Sequence, residues 1–412
     1  MSETTAISNN DKAILKDLAK KRQEYANSPR NLENIRLWYK HNACKGERPM
    51  VHVEINTFQE ELIPKRLKCE GELARRLEID MLHNMINFEI LEDDRPVIPY
   101  FPVPNRVWPV PFGLHVKLEP ATSGIGYHYA PYINDLERDF HLLGDTIMPI
   151  DKNADKAYID AAECTFGDIL PVKKTLNSIS MSPTQTLVAL MSMETMFVSM
   201  YDYPELFHAM MQHFATDMLK YLDHLEVEGF ILPTTGAETL YQGSWCFTDE
   251  LPQDAKAVSH VWGYMDSQET VGLSPDMYAE FIFPYYKQIA DRFGLLSYGC
   301  CEPVHSVWDS IKQFSSLRKL SISPWCDEAL IGERLQGKNI IYHRKPAPHF
   351  IGVGTTLDED AVRENISQTI KAAKGVPLEI TQRDVYTINN DEQKARRYVE
   401  LIREVIEDEW KG

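Results

Sequence analysis

From residue 274 onward the chain alternates between helix-forming and strand-forming segments with short connections, and this alternation restricts its fold more than any other feature. The stretch "SPDMYAEFIFPYYKQIADRFG" opens with Ser274 as a helix N-cap and Pro275 in the first turn, and stops at Gly294. Then come the strand "LLSYGCC", the helix "VHSVWDSIKQF", the strand "LRKLSIS" and the helix "DEALIGERLQG". The strand "NIIYHRKPA", the helix "DEDAVRENISQTIKAAKG", the strand "VPLEITQRDV" and the helix "DEQKARRYVELIREVIEDEW" complete the chain. A helix between two strands carries the chain back to its starting edge, so such strands run parallel.

The middle fits the same plan, with a long helical region at residues 185–228 that ends at Gly229 and leads into a strand "FILPTT". Nearer the start, helices are expected around residues 10–27, 31–42 and 70–91, with a strand "MVHVEIN" between the last two. We therefore expect an α/β protein, a (β/α)8 TIM barrel with N-terminal helical additions. Residues 1–48 form the extension and residues 49–412 the barrel, with a Pro- and aromatic-rich segment at 95–130. An open doubly wound sheet is the alternative, but no Gly-rich phosphate fingerprint follows any strand. A chain of 412 residues suits a single barrel domain.

The formal net charge of -18 argues against a nucleic-acid partner and against docking on an anionic membrane surface. The start "MSETTAISNNDKAILKDLAKK" shows no apolar signal region, and nothing is long and apolar enough to span a bilayer, so a cytoplasmic location is expected. Seven irregularly spaced cysteines read as free thiols or ligands rather than as a disulfide framework. The Met-rich stretch "MSPTQTLVALMSMETMFVSMYDYPELFHAMM" reads as a buried helical face.

In βα barrels the chemistry sits where strands end and βα loops begin. The polar residues at such points are Asp168, Glu238, Tyr241 and Gln242, residues 298–302, residues 323–327, His343, Lys345 and Asp384. Taken singly, each is as well explained as a helix cap or a solvated loop residue. Alternation along "SYGCCEP" puts Tyr298, Cys300 and Glu302 on one side and Cys301 on the other. A thiolate and a carboxylate so placed suit a zinc ion, with a third ligand from His343, Asp384 or Glu379. The alternative is that Cys300 is an inert core thiol.

At "AECTFGDILPV", "SPDMYAEFIFPYYKQIADRFG", "YGCCEPVH" and "LRKLSISPWCD" the sequence resembles the uroporphyrinogen decarboxylase superfamily, from about residue 150 to the C-terminus. The resemblance implies a (β/α)8 barrel and one of two chemistries, decarboxylation of uroporphyrinogen or cobalamin-dependent methyl transfer. "TFGDILP" is similar to the decarboxylase motif, which implies a catalytic role for Asp168. The Arg-rich motif expected on the first barrel strand is absent, because "PMVHVEINTFQEEL" is followed by no arginine until Arg66. A substrate with eight carboxylates needs clustered cations, so decarboxylation is the weaker branch.

Among the zinc-binding methyltransferases of the superfamily, Tyr298 stands where a His ligand would be and Cys300 matches the first Cys ligand, but no cysteine follows Cys326. The resemblance thus points to the branch that demethylates methoxylated aryl ethers onto the cobalt of a separate corrinoid protein. The expected site comprises Asp168, Tyr298, Lys345 and Asp384 as catalytic groups. Glu238, Tyr241, Trp325 and His343 are expected at the substrate, and Cys300, Cys301 and Glu302 at a Zn2+ ion. Residues 95–118 would line an apolar slot for the ring. The expected partners are a corrinoid protein and a small methoxylated substrate, with a homodimer as the assembly.

Overall fold

The structure, a computed structural model, describes residues 7–106, 108–120 and 127–411. Residues 107 and 121–126 of the Pro- and aromatic-rich segment therefore lie outside the described residues. Seven strands form one all-parallel sheet: β1 (Met50–Val53), β2 (Ile179–Ser180), β3 (Trp262–Met265), β4 (Leu295–Tyr298), β5 (Leu317–Ile322), β6 (Ile341–Arg344) and β7 (Leu378–Gln382). Their spatial order is β1-β7-β6-β5-β4-β3-β2. The last strand thus lies beside the first, with Val51 opposite Ile380. That order winds in one direction, whereas a doubly wound sheet reverses in the middle.

Among the described residues β1 and β2 are not paired, so the ladder does not close. Residues 93–98 run beside β1 instead: the Asp94 N–H donates to the Val51 carbonyl at 2.9 Å, and the Asp93 carboxylate accepts the Val53 N–H at 2.9 Å. Pro96, Pro99, Pro102 and Pro104 explain why this stretch makes no regular strand against β1, since each removes a ladder donor. Only residues 101–104 pair, with residues 172–175.

Strands β1, β4, β6 and β7 are buried on both faces, as a parallel sheet covered by helices requires. Ser274 and Asp327 cap their helices as expected, accepting the N–H groups of Met277 and Leu330. Residues 275–290 nevertheless form two helices, Pro275–Phe281 and Phe283–Ala290, because Pro284 has no N–H to continue the ladder. The long region at 183–227 splits likewise, at Ser192 (φ +67°) and at Pro204. Residues 230–235, read as a strand, are irregular. The buried methionines 196, 200, 210, 211 and 218 belong to the main core, as the helical spacing suggested. The N-terminal helices Asn9–Ala26 and Pro29–Asn42 begin at Ser8 and Ser28 caps. The first of them builds a second core with Leu77, Phe101 and Phe166.

Within the sheet's interior lies a fully buried charged layer. The Lys319 ammonium donates to Glu379 at 2.7 Å and to the Ser244 hydroxyl at 2.6 Å, and sits 5.3 Å over the Trp38 ring. His41 and His343 flank the same carboxylate at 3.3 and 3.5 Å.

Candidate functional site

A cavity of about 780 Å³ opens at the C-terminal ends of the strands. Ser180 ends β2, Tyr264 lies on β3 and Asp266 follows it, Cys300 and Cys301 follow β4, and Ser323 and Trp325 follow β5. Lys345 follows β6, and Arg383 and Asp384 follow β7. The loop at 241–242 adds Tyr241 and Gln242, and Trp108 supplies a further wall.

The turn after β4 decides how the thiols are presented. Gly299 has φ +101°, and a Cβ there would lie 3.1 Å from the Ser321 Cβ. Only glycine takes this conformation readily. The turn ends strand alternation at residue 298, so Cys300 and Cys301 face the cavity together with their sulfurs 3.6 Å apart. The expected division of the two thiols by alternation is thus corrected.

Tyr298 is wholly buried behind the sheet, against the Phe314 ring and bonded to Ser267 and Tyr278 at 2.6 Å each, so it does not reach the cavity. Glu302 is buried too, and its two oxygens accept the N–H groups of Ser267 and Cys300 at 2.9 and 2.8 Å. Burial, with Asp266 close by, raises its carboxyl to about 8.

Lys345 is the cation at the base of the cavity. Its ammonium donates to the Gln242 side chain at 2.5 Å, and Arg383 donates to the same oxygen. Burial lowers Lys345 to about 8, against the opposing pull of the neighbouring thiols. The hydrogen bond from Cys300 lowers the Cys301 thiol to about 7, and Lys345 adds to this; the same bond, with burial, raises Cys300. Arg383 is anchored on Glu54 at 2.9 Å. Gln242 and Asp384 both have positive φ, +75° and +57°, a strained backbone that holds two polar side chains at the cavity.

The expected residues Cys300, Cys301, Lys345, Asp384, Tyr241 and Trp325 are therefore assembled in one cavity. Asp168 is not among them. It is 66% exposed and pairs with Lys16 on α-helix Asn9–Ala26 at 3.2 Å. Glu238 is raised by burial, accepts from the Gly236 N–H at 2.7 Å and does not line the cavity. His343 is fully buried and bonded to Thr381 at 2.9 Å, with burial holding it down to about 3. Of residues 95–118, Trp108 lines the cavity, its ring 6.5 Å from that of Tyr241.

Asp266, Tyr264 and Arg383 were not singled out from sequence. Tyr264 lies on β3 and Asp266 directly follows it, after a short apolar run whose strand end obeys the same rule as the others.

Among the described residues no group of three or more His, Cys, Asp or Glu side chains is placed to hold a metal ion. Glu302, with both oxygens on backbone donors, is not a partner for Cys300, and the two adjacent thiols fall short of a three-ligand zinc set.

No protein-family model matches the sequence, and no curated protein matches it. The fold is similar to that of a methyltransferase from Methanosarcina mazei, with a TM-score of 0.51 and 10% identity over 90% of this chain and 98% of the other. A B12-independent methionine synthase from Shewanella sp. W3-18-1 in complex with selenomethionine is a slighter likeness. It has a TM-score of 0.29 and 11% identity over 65% of this chain and 69% of that one. At these identities the first likeness is one of fold, a parallel α/β sheet wrapped by helices, and the second bears no weight.

Proposed function

We propose that the chain is a methyltransferase that moves a methyl group from a methoxylated aryl ether to the cobalt of a corrinoid protein, on a (β/α)8 barrel in which residues 93–104 replace a regular strand. The observation that carries this is the buried Lys345 ammonium facing an aromatic-walled cavity at the strand ends. The fold of the Methanosarcina methyltransferase agrees with it.

Demethylating an aryl ether is limited by the leaving group, because the bond that breaks releases a phenolate. Phenols ionise near about 10. An ammonium at about 8 therefore gives its proton to a departing phenolate downhill. An ammonium has three donors, and one of Lys345's rests on Gln242, which leaves others for the ether oxygen. Trp108, Tyr241, Tyr264 and Trp325 offer ring faces that suit a methoxybenzene ring. When bound, the corrinoid of the partner protein supplies a cobalt nucleophile that accepts the methyl group. No step is assigned to zinc, since the thiols do not complete a ligand set. The decarboxylase alternative loses its main support, because Asp168 lies outside the cavity.

The protein is incubated with a reduced corrinoid protein and guaiacol, vanillate or syringate. Methylated cobalt, seen as a change in corrinoid absorbance, is expected with at least one ether. No methylation with any of them would reject the aryl ether reading.

A further inference from the structure

Cys300 and Cys301 are nucleophiles in the cavity that the proposed methyl transfer leaves unused. Both line it, Cys301 is exposed, and their sulfurs stand 3.6 Å apart. The backbone that carries them is fixed at three points. Gly299 turns it at φ +101°, the Cys300 N–H donates to Glu302 at 2.8 Å, and the Cys300 carbonyl accepts the Ser321 hydroxyl at 3.1 Å. A direct sulfur–sulfur bond suits this pair poorly, because consecutive Cα atoms lie about 3.8 Å apart and disulfides usually span about 4.4–6.8 Å. A single bridging atom suits it well. At about 2.3 Å, the length of a zinc–sulfur bond, two bonds to sulfurs 3.6 Å apart meet at about 100°.

What else is in reach decides which atom that is. A catalytic zinc takes three protein ligands, and among the described residues no third His, Cys, Asp or Glu side chain is placed to join the two thiols. Two-coordinate soft ions such as mercury(II) and copper(I) prefer their sulfurs on opposite sides. At such bond lengths that means sulfurs about 4.6 Å apart, wider than this pair. Trivalent arsenic with one organic group needs two sulfurs and nothing more, and its three bonds form a pyramid with angles close to the one found here. We propose that Cys300 and Cys301 are a capture site for a monosubstituted trivalent arsenical, R–As(OH)2, with the group R held in the aromatic-walled cavity. Two As–O bonds break and two As–S bonds form. Each thiol proton leaves with a hydroxide as water, and arsenic stays trivalent throughout. Cys301, lowered to about 7 by the hydrogen bond from Cys300, attacks first, because the thiolate is the nucleophile. Cys300 then closes the ring, and the product is neutral, as a half-buried site favours. Trp108, Tyr264 and Trp325 line the same cavity and offer ring faces to R.

The test uses phenylarsine oxide, which hydrates to such a diol, with excess glutathione to strip arsenic from single thiols. Intact-protein mass spectrometry is expected to show one phenylarsenic group per wild-type chain, released by ethanedithiol. Two thiols acting together should hold it about 100- to 10,000-fold more tightly than one. Cys300→Ser and Cys301→Ser should each lose that advantage, whereas Cys164→Ser, at the other exposed thiol, should keep it. Retention within about 3-fold of wild type in either variant of the pair, or loss in Cys164→Ser, would overturn the proposal. So would zinc that blocks the capture, since stable zinc binding needs a third ligand. If a variant fails to fold, alkylation of the wild-type protein by iodoacetamide decides. Bound phenylarsenic should protect Cys300 and Cys301 together and leave Cys164 open, and protection of only one of the pair would reject the bridge. Neither measurement involves a corrinoid or an ether, so the capture site and the methyl-transfer reading stand or fall separately.

Discussion

Lys345→Met is expected to lower the rate of methyl transfer from an aryl ether by about 100- to 1,000-fold, the range for loss of a positioned general acid. Affinity for the ether should change little, because the proton is needed only as the phenolate departs. Methionine nearly matches the lysine stem in length, and Gln242, which loses one donor, keeps the other from Arg383. The substitution also removes a buried charge, so the fold is expected to survive. The pH profile gives a second, independent readout. Burial lowers Lys345 from its ordinary value of 10.5 to about 8, and the charged form is the donor. The wild-type rate should therefore hold below pH 8 and fall as pH rises through it. In Lys345→Met that decline should vanish from the residual activity. A variant within about 3-fold of wild type, or one that keeps the decline near pH 8, would remove Lys345 from the chemistry.

The alternation from residue 274 onward was legible because each element carries its own local signal. Ser274 and Asp327 are caps, Gly294 is a stop, and the strands are short apolar runs bounded by polar loops. The errors arose where a residue acts on the backbone without changing the apolar pattern. Pro284 and Ser192 break helices whose hydrophobic spacing runs straight through them. The prolines of residues 96–104 withhold the donors that would have closed the sheet against β1.

The site shows the same division. Lys345, Asp384 and Tyr241 were found because catalytic groups in such folds sit at strand ends, a positional rule that needs no side-chain detail. Cys300 and Cys301 were found as well, but their geometry was not, since Gly299 at φ +101° cancels the alternation used to separate them. Tyr298 looked like a neighbour of Cys300 for the same reason, whereas it faces the helices and is locked by Ser267 and Tyr278. Asp168 was carried in by motif resemblance and by a strand-end reading, whereas it follows the helix Lys156–Phe166 and lies at the surface. Asp266 was missed because its strand was missed.

Glu379→Ala is expected to cost about 3–5 kcal/mol of folding stability, the penalty for leaving a buried charge alone. Lys319, fully buried, would keep only the Ser244 hydroxyl and the Trp38 ring. Removing both charges at once, in Lys319→Met/Glu379→Leu, should recover most of that loss, because apolar side chains of similar volume replace a pair that carries a large desolvation penalty. Burial by itself would raise Glu379, but His343, Lys319 and His41 together hold it well below the ordinary carboxylate range. Its contribution is therefore present at neutral pH and lost only in strong acid. The histidines act earlier. Burial lowers His343 to about 3 and lowers His41 as well, so below their unfolded value near 6.5 the unfolded chain takes up protons that the folded chain refuses. His343 should remove about 1.4 kcal/mol per pH unit as pH falls from 6.5 toward 4, and His41 acts in the same direction. Urea unfolding at pH 7 and pH 5 measures both effects. A single-variant loss below about 1 kcal/mol, or a double variant no more stable than Glu379→Ala, would show that the layer is solvated and that the pairing contributes little. Thr381 ties the layer to the loop that carries Gln242, because its hydroxyl bonds to His343 and donates to the Gly243 carbonyl.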